Sequence, residues 1–340
     1  MKLQTQIGPN GELYHPSIKA AENFDAQADV EVIRQAMKGS GTDEDLLMNT
    51  IVKRSYAQRK EVMKAYRSLG RELEEDIKDE VHGSFRKVLI SLLKSPGEIM
   101  AIGCHEAMAG AGTNETLLAE IIGSATNEEI TEMKAAYTSL YGKDLIEEVR
   151  SECTGNFEHT LVAMLQGARI EPTESDMNAF KKSGISALVD VAKAEELAQK
   201  LYDAGDGKWG TDETTFIGIL CRQSVWMIAA IDVSYNKKFG KSIIQAIESE
   251  FSGEDKLVLV SIAQSCLDRP GLYAKMLHDS LKGAGTDEEK LIRLVCSRAE
   301  IDLGTIKKVY EEAYGETLKN AILSDLSGDF ENVMVALLGE

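Results

Sequence analysis

Proline is scarce, five in 340 residues, so little in the chain interrupts helices, and abundant Ala, Leu, Glu and Lys favour them over sheet. No stretch approaches 18 uninterrupted apolar residues, which excludes a membrane-spanning helix and makes any contact with lipid peripheral. The first residues, MKLQTQIGPNGELYHP, lack the apolar run of a signal peptide. The five cysteines (Cys104, Cys153, Cys221, Cys266, Cys296) are odd in number, far apart and without CxxC spacing. A reduced, intracellular protein is the expectation. Five scattered histidines form no zinc pattern, and no Ser/His/Asp or Cys/His pairing recurs, so the chain is not expected to be an enzyme. Positive charge is also short: 38 basic against 56 acidic residues, a net of −18. Nucleic acid selects the opposite balance and is excluded as a partner. An acidic membrane would repel this surface unless a cation sat between the two.

What is present is a unit repeated four times. Gly-x-Gly-Thr or a near relative occurs at Gly39–Thr42, Gly110–Thr113, Lys208–Thr211 and Gly283–Thr286. From the second glycine of each, apolar residues follow at 6 and 10 positions: Leu47/Ile51, Leu118/Ile122, Phe216/Leu220 and Leu291/Val295. Tyrosine stands 25 positions on in every copy (Tyr66, Tyr137, Tyr235, Tyr310), then a glycine (Gly70, Gly142, Gly240, Gly315). An acid follows at 39 positions in the first copy and 40 in the others: Glu80, Glu152, Glu250, Asp325. A further glycine stands three residues later each time, at Gly83, Gly155, Gly253 and Gly328.

Between these landmarks the apolar spacing is helical. Each Thr reads as the N-cap of the next helix, with Thr42-x-x-Asp45 and Thr286-x-x-Glu289 approaching capping boxes. The expected fold is therefore all-α, with about five short helices per repeat. Boundaries are placed at 1–22 (N-terminal tail), 23–94, 95–167, 168–192 (extended linker), 193–265 and 266–340.

The chemistry follows from the spacing. Paired glycines let a loop turn its carbonyl oxygens to one point, and a carboxylate returning after three helices completes a hard oxygen site of the kind Ca²⁺ takes. One carboxylate leaves the ion under-neutralised, which predicts weak binding alone, on the order of 10⁻⁴–10⁻³ M. An anionic headgroup would complete the site, and four sites together would give a steep response. Glycines that only end helices and acids that are only solvated would account for one loop, but not for four in register. No EF-hand loop is present, and the glycine pairs are not followed by the GK[ST] of a phosphate-cradling loop.

The segments MKGSGTDED (37–45), AMAGAGTNE (107–115), AGDGKWGTDE (204–213) and LKGAGTDEE (281–289) resemble the Ca²⁺ loops of an annexin, and the likeness covers nearly the whole chain. The resemblance implies a curved four-repeat disc whose convex face docks reversibly on acidic phospholipid when Ca²⁺ rises. It places carbonyls of Met37, Gly39 and Gly41 with Glu80, and of Met108, Gly110 and Gly112 with Glu152. The third set is Gly205, Lys208 and Gly210 with Glu250, where one extra loop residue leaves Gly205 and Asp206 as alternatives. The fourth is Leu281, Gly283 and Gly285 with Asp325. Glu44, Glu115, Glu213 and Glu288 are candidates for secondary ions or simple first-turn helix charges. Trp209, inside the third loop, is a candidate membrane contact, against a core residue packed under the loop.

Ala125 stands where the family usually has an arginine; Glu120 and Arg293 remain, so a partial polar core is expected. Arg54, Arg222 and Arg298, near helix ends, are expected to bond carbonyls, and the four tyrosines to pack in the core. The expected setting is cytoplasmic, peripheral on membranes when Ca²⁺ rises. Lateral self-association on membranes, unconventional export and a protein partner of the tail stay open.

Overall fold

The computed structural model describes residues 7–39, 41–207, 210–283 and 285–339. Among them are twenty-one α-helices and one 3-10 turn, with a lone backbone bridge between Ile7 and Leu13 in place of a sheet. The first five are α1 (Ala26–Ala36), α2 (Glu44–Val52), α3 (Tyr56–Arg67), α4 (Leu73–Glu80) and α5 (Gly83–Leu92). The second five are α6 (Pro96–Met108), α7 (Glu115–Ser124), α8 (Asn127–Tyr141), α9 (Leu145–Glu152) and α10 (Gly155–Leu165). After α11 (Glu174–Ser183) and the 3-10 turn (Gly184–Ala187) come α12 (Val191–Ala204), α13 (Glu213–Arg222), α14 (Val225–Phe239), α15 (Ile243–Glu250) and α16 (Gly253–Leu267). The last five are α17 (Arg269–Leu281), α18 (Glu288–Arg298), α19 (Leu303–Tyr314), α20 (Leu318–Asp325) and α21 (Gly328–Leu337). The expectation of an all-α chain with four five-helix repeats holds.

The chain divides into two units. One comprises Met1–Leu13 and Met100–Leu272, the other Tyr14–Ile99 and Tyr273–Glu340. In the first unit α7 packs along α16, and α12 along α14. The close approach of α7 needs Gly123, where a Cβ would meet the Ser261 side chain at 3.1 Å. In the second unit α1 packs on α2 and α3, and α18 on α5. The apolar landmarks are the centre of each repeat: Leu47, Leu118, Phe216 and Leu291 are all fully buried. Each such side chain contributes roughly 1.5–3 kcal/mol by leaving water. The four tyrosines are buried as well, and their hydroxyls find partners. Tyr66 donates to Asp76 and Tyr235 to Asp206 at 2.8 Å; Tyr137 and Tyr310 lie 3.4 and 3.3 Å from Nδ1 of His105 and His278.

Local chemistry sets the helix ends. Capping boxes start α3 (Ser55/Gln58), α8 (Thr126/Glu129) and α15 (Ser242/Gln245). Left-handed Gly142, Gly240 and Gly315 end α8, α14 and α19. Two expectations are corrected. The residue that caps the helix after each loop is not Thr but its neighbour: Asp43, Asn114, Asp212 and Asp287 accept from backbone N–H groups of α2, α7, α13 and α18. The boxes expected at Thr42 and Thr286 therefore do not form. Arg54 and Arg298 grip carboxylates rather than carbonyls as their principal partners. Arg54 forks onto Asp29 and Arg298 onto Asp302, because a buried acid needs a counter-charge and a planar guanidinium matches both of its oxygens.

The tail is structured from Ile7 onward. In the first unit, residues 7–13 turn tightly through Gly8 N–H to Glu12 O and Gly11 N–H to Gly8 O. Buried Trp226 donates its indole N–H to Gly8 O at 3.3 Å. In the second unit, His15 N–H donates to Thr305 Oγ1 at 2.7 Å and Ser17 N–H to Ala299 O.

Candidate metal centres

The four loops join α1 to α2, α6 to α7, α12 to α13 and α17 to α18. The four acids, Glu80, Glu152, Glu250 and Asp325, are the last residues of α4, α9, α15 and α20. Each loop is closed by one backbone bond, from the capping residue's N–H to a carbonyl at the end of the preceding helix. These are Asp43 to Ala36 (2.8 Å), Asn114 to Ala107 (2.7 Å), Asp212 to Ala204 (2.7 Å) and Asp287 to Ser280 (2.8 Å). The closures span 7, 7, 8 and 7 residues, so the third loop is longer by one.

Within the loops the glycines are required by conformation. Gly39 and Gly41 have φ near +110°, Gly110 and Gly112 +108° and +101°, Gly283 and Gly285 +123° and +122°, and Gly210 +81°. A Cβ at any of them would meet nothing within 4 Å, so backbone rather than space demands glycine.

The displaced threonine ties each loop to its distant acid. Thr42 Oγ1 donates to Glu80 O at 3.3 Å, and Thr113 Oγ1 to Glu152 O at 3.1 Å. Thr211 Oγ1 donates to Glu250 Oε2 at 2.9 Å, and Thr286 Oγ1 to Asp325 Oδ2. Loop and acid, 39 or so residues apart in sequence, are thus joined in every repeat. The signal was legible, since Thr follows the second glycine each time, but a hydroxyl there reads equally well as a helix cap.

The third loop differs in composition. Gly205 lies against the acid: a Cβ there would meet Glu250 Cγ at 3.0 Å. Asp206 instead accepts from Tyr235 Oη and pairs with Lys241 at 2.5 Å. Burial works against ionisation of Asp206, but Lys241 and Tyr235 outweigh it and hold its carboxyl below the usual range. Lys208 and Trp209 lie outside the described residues.

Beside the first loop opens a groove of about 820 Å³ lined by Arg34, Met37, Lys38, Arg71, Asp76 and Glu80, among others. Arg71 pairs with Asp76 at 2.7 Å. Sequence reasoning missed Arg34 and Arg71, because they come from α1 and from the turn after α3, whereas Lys38 belongs to the loop itself. Of the secondary candidates, Glu288 accepts a hydroxyl from Ser84; Glu44, Glu115 and Glu213 stand in the first turns of α2, α7 and α13.

These donors fit Ca²⁺. Among the described residues no three His, Cys, Asp or Glu side chains gather into a metal-holding group; an ion at these loops would draw on main-chain oxygens plus one acid. Positive-φ glycines with open space at the Cβ position, an acid residue tied to each loop, and the close approach of Gly205 to Glu250 would supply such hard oxygen donors.

The annexin family model matches residues 28–92, 101–164, 196–262 and 273–337, one stretch per repeat. The chain belongs to the annexin family. Annexin A13 of Schistosoma japonicum is 38% identical over 347 residues, covering 99% of this chain and 98% of that protein. Human annexin A7 is 37% identical over 325 residues, 95% of this chain but 64% of the relative. The solved structure of calcium-bound annexin (Sm)1 superposes with a TM-score of 0.90 at 32% identity, covering 100% of this chain and 97% of that one. Annexins are a family of Ca²⁺-dependent, non-enzymatic binders of acidic phospholipid membranes. Among the described residues of this annexin no helix is long and apolar enough to cross a membrane.

Proposed function

We propose that this annexin binds acidic phospholipid surfaces reversibly through Ca²⁺ at all four loops. The ion sites are Met37, Gly39, Gly41 and Glu80; Met108, Gly110, Gly112 and Glu152; Gly205, Lys208, Gly210 and Glu250; and Leu281, Gly283, Gly285 and Asp325. In each, carbonyls of the loop and the carboxylate at the end of the fourth helix hold the ion. The observation that carries the reading is the fourfold threonine tie between a glycine loop and a distant acid.

When bound, Ca²⁺ supplies the positive charge that a chain of net −18 lacks and leaves coordination for a headgroup phosphate or carboxylate. The chain's own residues orient the donors, and at the first loop they offer more. Arg34, Lys38 and Arg71 balance Glu31, Asp76 and Glu80 in that groove, so a divalent ion on Glu80 turns it net positive beside an incoming anion. Glu44, Glu115, Glu213 and Glu288, in the first turns of the helices that follow the loops, are the secondary positions. Trp209 is the membrane-facing apolar residue of the third loop.

The test is sedimentation with phosphatidylserine vesicles. Pelleting is expected with Ca²⁺, to be reversed by chelator, and to need far more Ca²⁺ when Glu80, Glu152, Glu250 and Asp325 are all amidated. Equal pelleting in chelator rejects the Ca²⁺ dependence. An unchanged Ca²⁺ requirement in the quadruple variant rejects the site assignment.

A further inference from the structure

The four threonine ties are of two kinds. In the first and second repeats the hydroxyl donates to the backbone carbonyl of the acid residue, Glu80 at 3.3 Å and Glu152 at 3.1 Å, and leaves the carboxylate alone. In the third and fourth it donates to the carboxylate itself, Glu250 Oε2 at 2.9 Å and Asp325 Oδ2. Each unit of the fold contains one repeat of each kind.

The difference matters because the carboxylate is the one charged donor at each site. An ionised carboxylate has about four lone-pair directions, so an oxygen that accepts from a hydroxyl still has one to offer an ion. A carboxylate oriented before the ion arrives gives up less rotamer freedom on binding than one that turns freely. Hydrogen bonds to ligating carboxylates have this effect at metal sites generally. Glu250 is restrained from a second side as well, since the Gly205 backbone lies against its Cγ. Among the described residues, Glu152 has, besides the backbone tie, a 3.5 Å hydrogen bond from the Ser151 hydroxyl.

We infer that Thr211 and Thr286 are positioning residues that make the third and fourth loops the tighter Ca²⁺ sites of this chain, filling before the first and second. Thr42 and Thr113 shape their loops without orienting the acid. The inference rests on the reading of the loops as Ca²⁺ sites.

The experiment uses full-length protein in four backgrounds, each with three of the four acids amidated so that one site remains. Calorimetric titration with Ca²⁺ alone reads affinity, and melting in chelator reads folding apart from the ion. Thr211→Val and Thr286→Val, each in its own background, are expected to weaken Ca²⁺ binding about 10- to 100-fold, the range for lost support of a metal ligand. The serine variants keep the hydroxyl and are expected to restore affinity. Losses for Thr42→Val and Thr113→Val are expected to be several-fold smaller, and the parent third and fourth sites tighter than the first and second. Where a valine variant melts early, the serine variant decides, because a hydroxyl that orients the acid restores affinity as well as melting. Equal losses at all four threonines, or affinity that serine does not restore, overturn the inference. A background that takes up no Ca²⁺ with its threonine intact rejects the site reading itself, and the inference falls with it.

Discussion

Arg269 and Glu129 stand 140 residues apart in the chain and form a buried ion pair within one unit, each side chain 5% exposed. Glu129 is at the same time the third residue of α8 and accepts from the N–H of Thr126, closing that helix's capping box. One carboxylate therefore starts a helix of the second repeat and meets the first residue of α17.

Removing one partner leaves the other charge buried without its counter-ion, which costs on the order of 3–5 kcal/mol. Glu129→Gln is expected to lower the urea midpoint accordingly. The paired apolar change Glu129→Leu/Arg269→Met should cost less than Arg269→Met with Glu129 intact. A double variant as unstable as the sum of the singles would show that the two side chains act independently.

The Asp206 carboxyl is held below the ordinary range by Lys241 and Tyr235 against the cost of burial. A depressed acid contributes stability above its unfolded pKa, and the contribution fades as pH falls toward the folded value. Asp206→Asn should thus be less stable than the parent at pH 7, by roughly 1–2 kcal/mol for a partly buried charged hydrogen bond. The gap should narrow as pH falls below the ordinary aspartate range and close only below the depressed folded value, where the acid is protonated in both states. A gap that stays constant down to that pH would assign the loss to shape instead.

All five cysteines are buried and free. Burial pushes the Cys153 thiol up to about 11, and those of Cys221 and Cys296 up to about 12. Since the thiolate is the reactive form, the native protein is expected to give almost no reaction with a thiol reagent at pH 8, and five equivalents after denaturation. Rapid labelling of the native chain would contradict the burial.

The repeat register was legible in the sequence because each landmark answers one local demand: Leu47 and Leu118 fill a core, Gly112 needs positive φ, Tyr137 is buried with a polar end. The N-caps were misread because Thr113 and Asn114 are adjacent and both cap helices well. Which of them does so depends on the path of the loop, closed by Asn114 N–H on Ala107 O. The partners of Arg54 and Arg298 were hidden for a related reason. The forked bond to Asp29 depends on how helices pack, and the one from Arg298 to Asp302, four residues on, forms across a turn beyond the end of α18. The tail carried no motif, and its order comes from contacts with residues hundreds of positions away, such as Trp226 and Ala299.

Gly112 has φ of +101°, a region that side-chain-bearing residues rarely enter. Gly112→Ala meets no steric neighbour, so its cost is backbone strain of about 1–3 kcal/mol, relieved by shifting the loop. The shift moves the carbonyls proposed for the second site. Vesicle binding should therefore need more Ca²⁺, while melting in chelator falls by only a few degrees. A lower melting point with an unchanged Ca²⁺ requirement would mean that this loop takes no part in binding.

The two tryptophans allow the third loop to be watched directly. Trp226 is 2% exposed on α14, and its indole N–H is bonded to Gly8 O, so its surroundings are fixed by the core and the tail. Substituting it would disturb that packing, so the informative substitution is Trp209→Phe, which leaves Trp226 as the only indole. Its emission should be blue and should not move on adding Ca²⁺ or phosphatidylserine vesicles. In the parent, any Ca²⁺-linked change then belongs to Trp209. The expectation is a red shift with Ca²⁺ alone, as the ring meets water, and a return to the blue with vesicles, as it enters the membrane interface that indoles favour. Burial of a ring of that size is worth roughly 1.5–3 kcal/mol, so the same variant should raise the Ca²⁺ needed for half-maximal pelleting. If the parent spectrum stays fixed through both additions, Trp209 is not the membrane contact, and pelleting by the variant should then match the parent.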